Sequence, residues 1–455
     1  MLASLIILGG SLGDKLGRKK IFITGIIIFM CGSAACGFSP DVKFLIICRG
    51  MQGLGGALMI PGSLSIISSS FASTERGKAI GTWSSITTMV TIGGPILGGA
   101  LADAGLWRFI FFINIPVGIV SVLILIFKVE ESRDEETDHV LDYSGALTSL
   151  TGLALLTFGF LRMPEAGFNN PQSYLSLTGG LIALVAFIFI ERYSKHPMMP
   201  LKLFSNKNFS GANLLTFFLY AALTAGMLFL SLDLIQAQGY SQFEAGLTLL
   251  PFTFLMIFLA RYAGTLADKH GPRLFLIAGP AVAGAGLLLL SFIKQTNGAS
   301  DYFTSFFPGI FVFGLGMSFT VAPLTATVMG SLPSHYSGTA SGINNAITRI
   351  AGVFANAILG ALAILFFSVF LNESINNLHL NDDEKKLVTQ QVKNLGNAKP
   401  PVQINEADKT IIAKAYKEGF INVYSKVMKI CAVLAFISAL MSFLFIKNGD
   451  IKADG

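Results

Sequence analysis

Thirteen apolar stretches divide this chain, most of them about 20 residues long, and nothing else in the sequence limits its folding so severely. A helix of about 20 apolar residues crosses a hydrocarbon core about 30 Å thick. Backbone groups in lipid must find partners within the span, and the alternating pattern of barrel strands is not found here, so the stretches must be helices. Composition agrees. Hydrophobic residues make up 53% of the 455 residues and charged residues only 13%, against about a quarter charged in soluble domains. The expected fold class is an all-α polytopic membrane protein, with spans at 1–12, 21–38, 44–69, 79–101, 107–127, 143–161, 174–191, 209–235, 244–263, 274–293, 303–329, 338–369 and 426–446. Cys31, Cys36, Cys48 and Cys431 all lie in or beside apolar runs and read as small core residues, not as a disulfide framework or metal site.

The basic residues of the short loops set the orientation. One set of alternate loops holds Lys15, Arg18, Lys19, Lys20, Arg76, Lys78, Lys128, Arg133, Arg192, Lys195, Lys202, Lys207, Lys269 and Arg273; the other holds only Lys43, Arg108, Arg162 and Lys294. The first set is expected to face the cytoplasm, together with the tail after Phe445. Two loops are long. The acidic 128–142 falls inside. Residues 371–425 fall outside, with two short surface helices expected around "KPP"; a binding role for this loop and a plain solvated excursion both remain open.

A knot of charge interrupts the apolar pattern at 9–20, "GGSLGDKLGRKK", and a relative of it returns at 264–273, "GTLADKHGPR". Gly10, Leu12, Asp14, Lys15, Gly17 and Lys19 align with Gly264, Leu266, Asp268, Lys269, Gly271 and Arg273 at a constant offset of 254. An ordinary positive-inside turn explains the bases but not the repeated frame. Parallel repeats of this kind build many transporters. In each copy glycine lets the chain turn, and the aspartate is expected just ahead of the next helix, facing the positive end of its dipole.

With these residues in view, the chain resembles the major facilitator superfamily over essentially its whole length, and within it the fourteen-helix drug:proton antiporters. The charge knot resembles the signature loop between helices two and three. "LIICRGMQGLGGA" (45–57), with Arg49, Gln52, Gly53 and Gly55, is similar to the fourth-helix motif. "GTWSSITTMVTIGGPILGG" (81–99) is similar to the antiporter motif of helix five; it keeps Gly81, Gly94, Pro95, Gly98 and Gly99 but has Val90 where glycine is usual. "WRFIFFINIPVG" (107–118) and "SGINNAITRIAG" (341–352) resemble the starts of helices six and thirteen. The resemblance implies two helix bundles, 1–127 and 209–455, joined by two linking helices within 128–208. It also implies alternating access, with Gly10, Asp14, Gly17, Arg18, Asp268, Gly271 and Arg273 forming conformational-switch loops and the helix-five glycines sealing the path against leak.

Several residues carry readings of their own. An arginine in lipid is costly, so Arg49 is expected to face the bundle interior and to find an acidic or carbonyl partner. Proton coupling and a packing role are its two readings. Asp233, in "LFLSLDLIQAQGYS", is the one carboxylate well inside an apolar run away from the signature loops; it either carries a proton or attracts a cation, or else sits idle at headgroup level. Gln52, Asn114, Asn345 and Arg349 are candidates for the substrate pathway, with pairing inside the bundle the alternative for Arg349.

Enzyme readings find little support: there is no P-loop, no His/Cys cluster with metal spacing and no nucleic-acid signal, the net charge of +6 reflecting the loop bias. The expected function is proton-driven export of amphipathic or cationic small molecules from a bacterial cytoplasm. The expected protein is a monomer in the cytoplasmic (inner) membrane, with no cofactor beyond the proton gradient and with a periplasmic adaptor as a candidate partner. A metabolite or siderophore exporter of the same fold, and a non-transporting sensor or inactive truncated protein, are the competing readings. Residues 1–12 reach only about 18 Å as a helix, thirteen spans is one short of fourteen, and the first repeat lies at residue 10. The sequence therefore leads to the expectation that a whole helix and half of the next, about 40 to 50 residues, precede Met1, and that the chain by itself is poorly active.

The charge bias yields a topology test. Single cysteines at Lys385 and Lys393, in a background without the native four, should react with an impermeant maleimide in intact cells, and those at Glu131 and Lys269 should not. Labelling at position 269 would reverse the orientation.

Overall fold

The computed structural model describes residues 12–13, 16–70, 86–87, 90, 93–94, 96–132, 142–166, 170–194, 197, 201–332, 337–375, 381–401 and 404–447. Among these residues the chain is helical, and 11 helices are long and apolar enough to cross a membrane. They are α1 (Arg18–Gly37), α2 (Val42–Ser70), α3 and α4 (Phe109–Phe112 and Asn114–Lys128, one span), α5 (Tyr143–Ala166), α6 (Pro171–Tyr193), α7 (Lys207–Gln236), α8 and α9 (Gln242–Leu247 and Leu250–His270), α10 (Arg273–Leu290), α11 (Phe306–Gly330), α12 (Ser337–Ile375) and, after the surface helix α13 (Asp382–Gln390), α14 (Glu406–Phe445). Each matches a span expected from hydropathy. Of the other two expected spans, 1–12 lies almost wholly outside the described residues, and 79–101 is described, as helix, only in short pieces and from 96 onward.

The non-helical connection within 371–425 is shorter than expected. Of the two surface helices expected around "KPP", the first is α13, started by a capping box in which the Asn381 side chain accepts from Glu384 N and the Glu384 carboxylate accepts from Asn381 N. The second does not exist as a separate element. Asn405 caps a single helix of 40 residues that runs on into the last span. No proline interrupts that sequence, and its apolar side of Ile412, Tyr416 and Phe420 is buried. Tyr416 Oη donates to Val388 O at 3.0 Å, tying the N-terminal part of α14 to α13. At about 1.5 Å per residue α14 is about 60 Å long, twice the hydrocarbon thickness.

The chain divides into two compact units. The first comprises Met1–Leu156, Thr178–Asn206 and Leu332–Ile350; the second comprises Thr157–Leu177, Lys207–Ser331 and Ala351–Gly455. In the first, α1 and α2 touch backbone to backbone. A Cβ on Gly55 would lie 2.5 Å from Phe29 N, and one on Gly32 would lie 2.8 Å from Gln52 N. With no hydrophobic drive between helices in lipid, such small-residue approaches supply the van der Waals contact that holds a bundle together. In the second unit α10 and α11 meet the same way: a Cβ on Gly316 would stand against the Ala283 backbone and 2.6 Å from Gly279 O. α7 and α14 form the other wall, burying Leu215, Leu219, Phe229, Val427 and Met428.

α5 starts at Asp142, which is buried and accepts from Gly145 N (2.8 Å) and Ser144 Oγ (2.6 Å). Burial pushes its pKa up, but the hydrogen bonds from Ser144, Gly145 and Ser194 outweigh this and hold it below the ordinary 3.8. A depressed carboxylate stabilises the fold above its ordinary pKa, and that stability is lost as pH falls through the folded value. Asp142→Ala should therefore cost about 1 kcal/mol near neutral pH, and the gap from the parent should narrow below about pH 3.8. Thermal unfolding in detergent reads both. A gap unchanged in acid would count against the cap.

Candidate functional site

Both copies of the repeated loop turn at a glycine of positive φ. Gly17 precedes α1 with φ 111° and Gly271 precedes α10 with φ 84°. Only glycine takes such values without strain. The last base of each copy also does the same job. Lys19 Nζ donates to Ile126 O (3.1 Å) and Val129 O (2.7 Å), at the C-terminal end of α4. Arg273, 254 residues on, donates from Nη2 to Phe443 O (3.2 Å) in the last turn of α14 and lies over the Phe443 ring, 5.6 Å from its centre. Each cation thus meets carbonyls that have no partner within their own helix, at the negative end of its dipole.

The acidic half of the loop is arranged differently from expectation. Asp14, Lys15 and Gly10 lie outside the described residues. Asp268 is placed in the last turn of α9 and not ahead of α10, because the helix continues to His270. The carboxylate that meets the positive end of α1 comes from elsewhere: Glu131 accepts from Lys19 N (2.9 Å) and Lys20 N (3.2 Å). Arg18 N donates to Ser132 O (3.1 Å). The start of α1 and the exit from α4 therefore cap each other. Sequence reading counted Glu131 only as part of an acidic loop; nothing local marks a cap drawn from more than 100 residues away.

A second polar cluster crosses the first unit. Arg49 Nη1 donates to Gln52 Oε1 (2.6 Å), Gln52 Nε2 donates to Ser33 Oγ (3.0 Å), and Asn114 Nδ2 donates to the same oxygen (3.0 Å). Ser33 Oγ donates to Phe111 O (2.8 Å). Ser33 and Gln52 are buried. Three sequence candidates on α2 and α4 are thus joined through Ser33 of α1, which the sequence reading missed. Its only signal is a hydroxyl in the small-residue run "CGSAACG". Arg49 is exposed among the described residues and not turned to the interior as expected; it finds a carbonyl partner, the Gln52 carboxamide, and no carboxylate among the described residues.

The other candidates belong to neither of these clusters. At Gly94 a Cβ would meet nothing within 4 Å among the described residues, and at Gly98 only Ile110 Cδ1 at 4.0 Å; Gly99 is buried. Gly81 and Pro95 lie outside the described residues. Asn345 and Arg349 are exposed on α12. Asp233, in contrast, is completely buried near the end of α7, where Gln238 Nε2 donates to its Oδ2 (3.1 Å).

A family model of the Major Facilitator Superfamily matches residues 1–356. The chain belongs to this superfamily. The sequence resemblance is thereby borne out, and so is the all-α polytopic fold. This member of the superfamily is a transporter and not an enzyme. Over 372 residues it is 31% identical to the multidrug resistance protein Stp of Mycobacterium tuberculosis, covering 81% of this chain and 68% of Stp. It is 30% identical over 363 residues to the multidrug transporter protein MdtP of Bacillus subtilis, covering 79% of this chain and 66% of MdtP. It is likewise 30% identical over 367 residues to the methylenomycin A resistance protein of the same organism, covering 79% of this chain and 76% of that protein. The fold is also that of a bacterial homologue of the human lysosomal transporter Spinster, at a TM-score of 0.64 and 17% identity, covering 100% of this chain and 91% of that one.

The reciprocal cap makes a stability prediction. Glu131→Ala removes the acceptor for two helix N–H groups and should cost about 1 to 2 kcal/mol. Gly17→Ala should cost about 1 to 3 kcal/mol from the positive φ, and more because its Cβ would lie 2.7 Å from the Glu131 carboxyl. Melting temperatures in detergent check both; an unshifted Glu131→Ala would remove the cap from the account.

Proposed function

We propose that this transporter exports amphipathic or cationic small molecules, drugs among them, from a bacterial cytoplasm in exchange for protons, by alternating access. The observation that carries this reading is the identity of about a third to Stp across 81% of the chain, a relative named for multidrug resistance. The names of MdtP and the methylenomycin A resistance protein support it. The residues supply parts that suit the task. The repeated loops cap helix ends with exposed or half-buried charges, contacts that can be broken and remade in water at low cost. The Arg49–Gln52–Ser33–Asn114 cluster ties three helices together while leaving most of the guanidinium donors of Arg49 available. Gly81, Gly94, Pro95, Gly98 and Gly99 belong to the same proposal as the seal against leak, and Asn345 and Arg349 as parts of the substrate path. So do two bundles, 1–127 and 209–455, moving about the linking helices of 128–208, and a monomer in the cytoplasmic membrane with the tail after Phe445 inside.

One feature favours a second reading, a metabolite or siderophore exporter. Arg49 bonds a neutral carboxamide and no described carboxylate, so its free donors suit an anionic or carbonyl-bearing substrate.

Reconstituted vesicles with an imposed pH gradient decide the matter. Addition of a lipophilic cation should release protons in step with its transport. Proton movement with carboxylate compounds and none with cations would favour the second reading, and no movement with either would reject exchange. In the same vesicles Arg49→Ala and Asp14→Asn should transport about tenfold less at normal abundance, and Asp268→Asn should lose less, since Pro272 stands where the first copy has Arg18 and leaves that loop fewer bases. Full transport by Arg49→Ala would return the residue to packing.

A further inference from the structure

Asp233 is 0% exposed, and its Oδ1 has no hydrogen-bond partner among the described residues. Its Oδ2 accepts one bond, from Gln238 Nε2. The orientation of that amide is fixed from its other end. Gln238 Oε1 accepts from both Thr296 N (2.9 Å) and Thr296 Oγ1 (2.9 Å), while Nε2 also reaches Lys294 O (3.3 Å). The NH2 end must therefore face the carboxyl, because a flipped amide would set its oxygen against two acceptors. Gln295 Nε2 adds a bond to Ala237 O (3.3 Å). The connection between α10 and α11 is thus fastened to the end of α7 through the residue that addresses Asp233.

No cation balances this carboxyl among the described residues. On α14, Tyr424 is fully buried, lies within electrostatic reach of Asp233 and has a hydroxyl without a partner among the described residues; Cys431, also buried, lies within reach of Tyr424. The lysines of α14 nearest in sequence point elsewhere, Lys426 over the Phe366 ring and Lys429 over the Phe292 ring. Lys393, on the turn Gln391–Asn397, is exposed. Glu244 of α8 is spent on Ser241 N, and α11 carries no charged residue between Phe306 and Gly330. An ionised Asp233 would be a buried charge with one neutral donor, a state that proteins avoid by neutralising the group. A metal ion does not suit the place, since no group of three or more His, Cys, Asp or Glu occurs together among the described residues.

We propose that Asp233 is a proton-binding site, closed in this conformation by the 291–297 connection through Gln238 and emptied when that connection leaves the end of α7. On opening, water reaches the carboxyl, the O–H bond at Oδ1 breaks with its electron pair left on oxygen, and the proton passes to water. Closing reverses the step. The ligand is a proton because a proton alone needs no room at a carboxyl that is 0% exposed. On the orientation derived from the loop charges, Lys294 is outside, so this opening is the one through which the site meets the protons of the outer face. Its part in transport rests on the proton-exchange reading above; proton binding itself does not.

The test has two arms. Infrared spectra of the purified protein in lipid should show a protonated-carboxyl stretch near neutral pH that is lost in the isosteric Asp233→Asn and shifted in Gln238→Leu, where Oδ2 loses its donor. A band unchanged in both variants overturns the site. In vesicles, Asp233→Asn should lose pH-gradient-driven accumulation about tenfold and retain substrate exchange without a gradient. Gradient-driven accumulation equal to the parent's overturns the coupling role. If the parent itself shows no gradient-driven transport, the exchange reading fails, and the infrared arm still decides whether Asp233 binds a proton.

Discussion

The helix end is the interaction on which this structure turns. Every helix leaves four N–H groups and four carbonyls without internal partners, and in a bundle that spans a bilayer these ends crowd at two thin interfaces. In the first unit the entry to α1 and the exit from α4 answer each other: Glu131 takes the N–H groups of Lys19 and Lys20, and the Lys19 ammonium takes the carbonyls of Ile126 and Val129. In the second unit Arg273 treats the end of α14 the same way. The internal repeat is therefore a repeated mechanical part, in which a loop that turns at a positive-φ glycine sets a base on the C-terminal end of another helix of its own unit.

Inside the apolar layer the controlling constraint changes from helix ends to polar accounting. Ser33 and Gln52 are buried, and their side chains are satisfied within one cluster, so the first unit has a polar path across α1, α2 and α4 that ends at Arg49. Among the described residues the Asp233 carboxyl is satisfied on one oxygen only. A satisfied network holds a bundle rigid, whereas a half-satisfied acid is costly to keep unless something binds there. The two units thus place different chemistry at comparable burial.

Spans were legible in the sequence because the bilayer imposes a length, and no long-range contact is needed to read about 20 apolar residues. The repeat was legible because its spacing survives in the chain. Where the reading failed, tertiary contact decided the outcome. The second surface helix expected in 371–425 merged with α14, since Ile412, Tyr416 and Phe420 could bury their side chains along one continuous axis. The aspartate expected at the start of α10 stayed in α9, whose helix runs two residues beyond it.

By itself the sequence determined the class of solvent, the number and rough limits of the described spans, and the glycines on which both signature loops turn. Hydropathy and backbone sterics are local properties, and they need no neighbour. Only the tertiary structure decided that Glu131 caps a helix more than 100 residues earlier, that Ser33 joins Arg49 and Gln52 to Asn114, and that Gln238 points its amide at Asp233. Each of these depends on which polar atoms remain without partners once the helices have packed, and that is settled by distance in space, not by spacing along the chain.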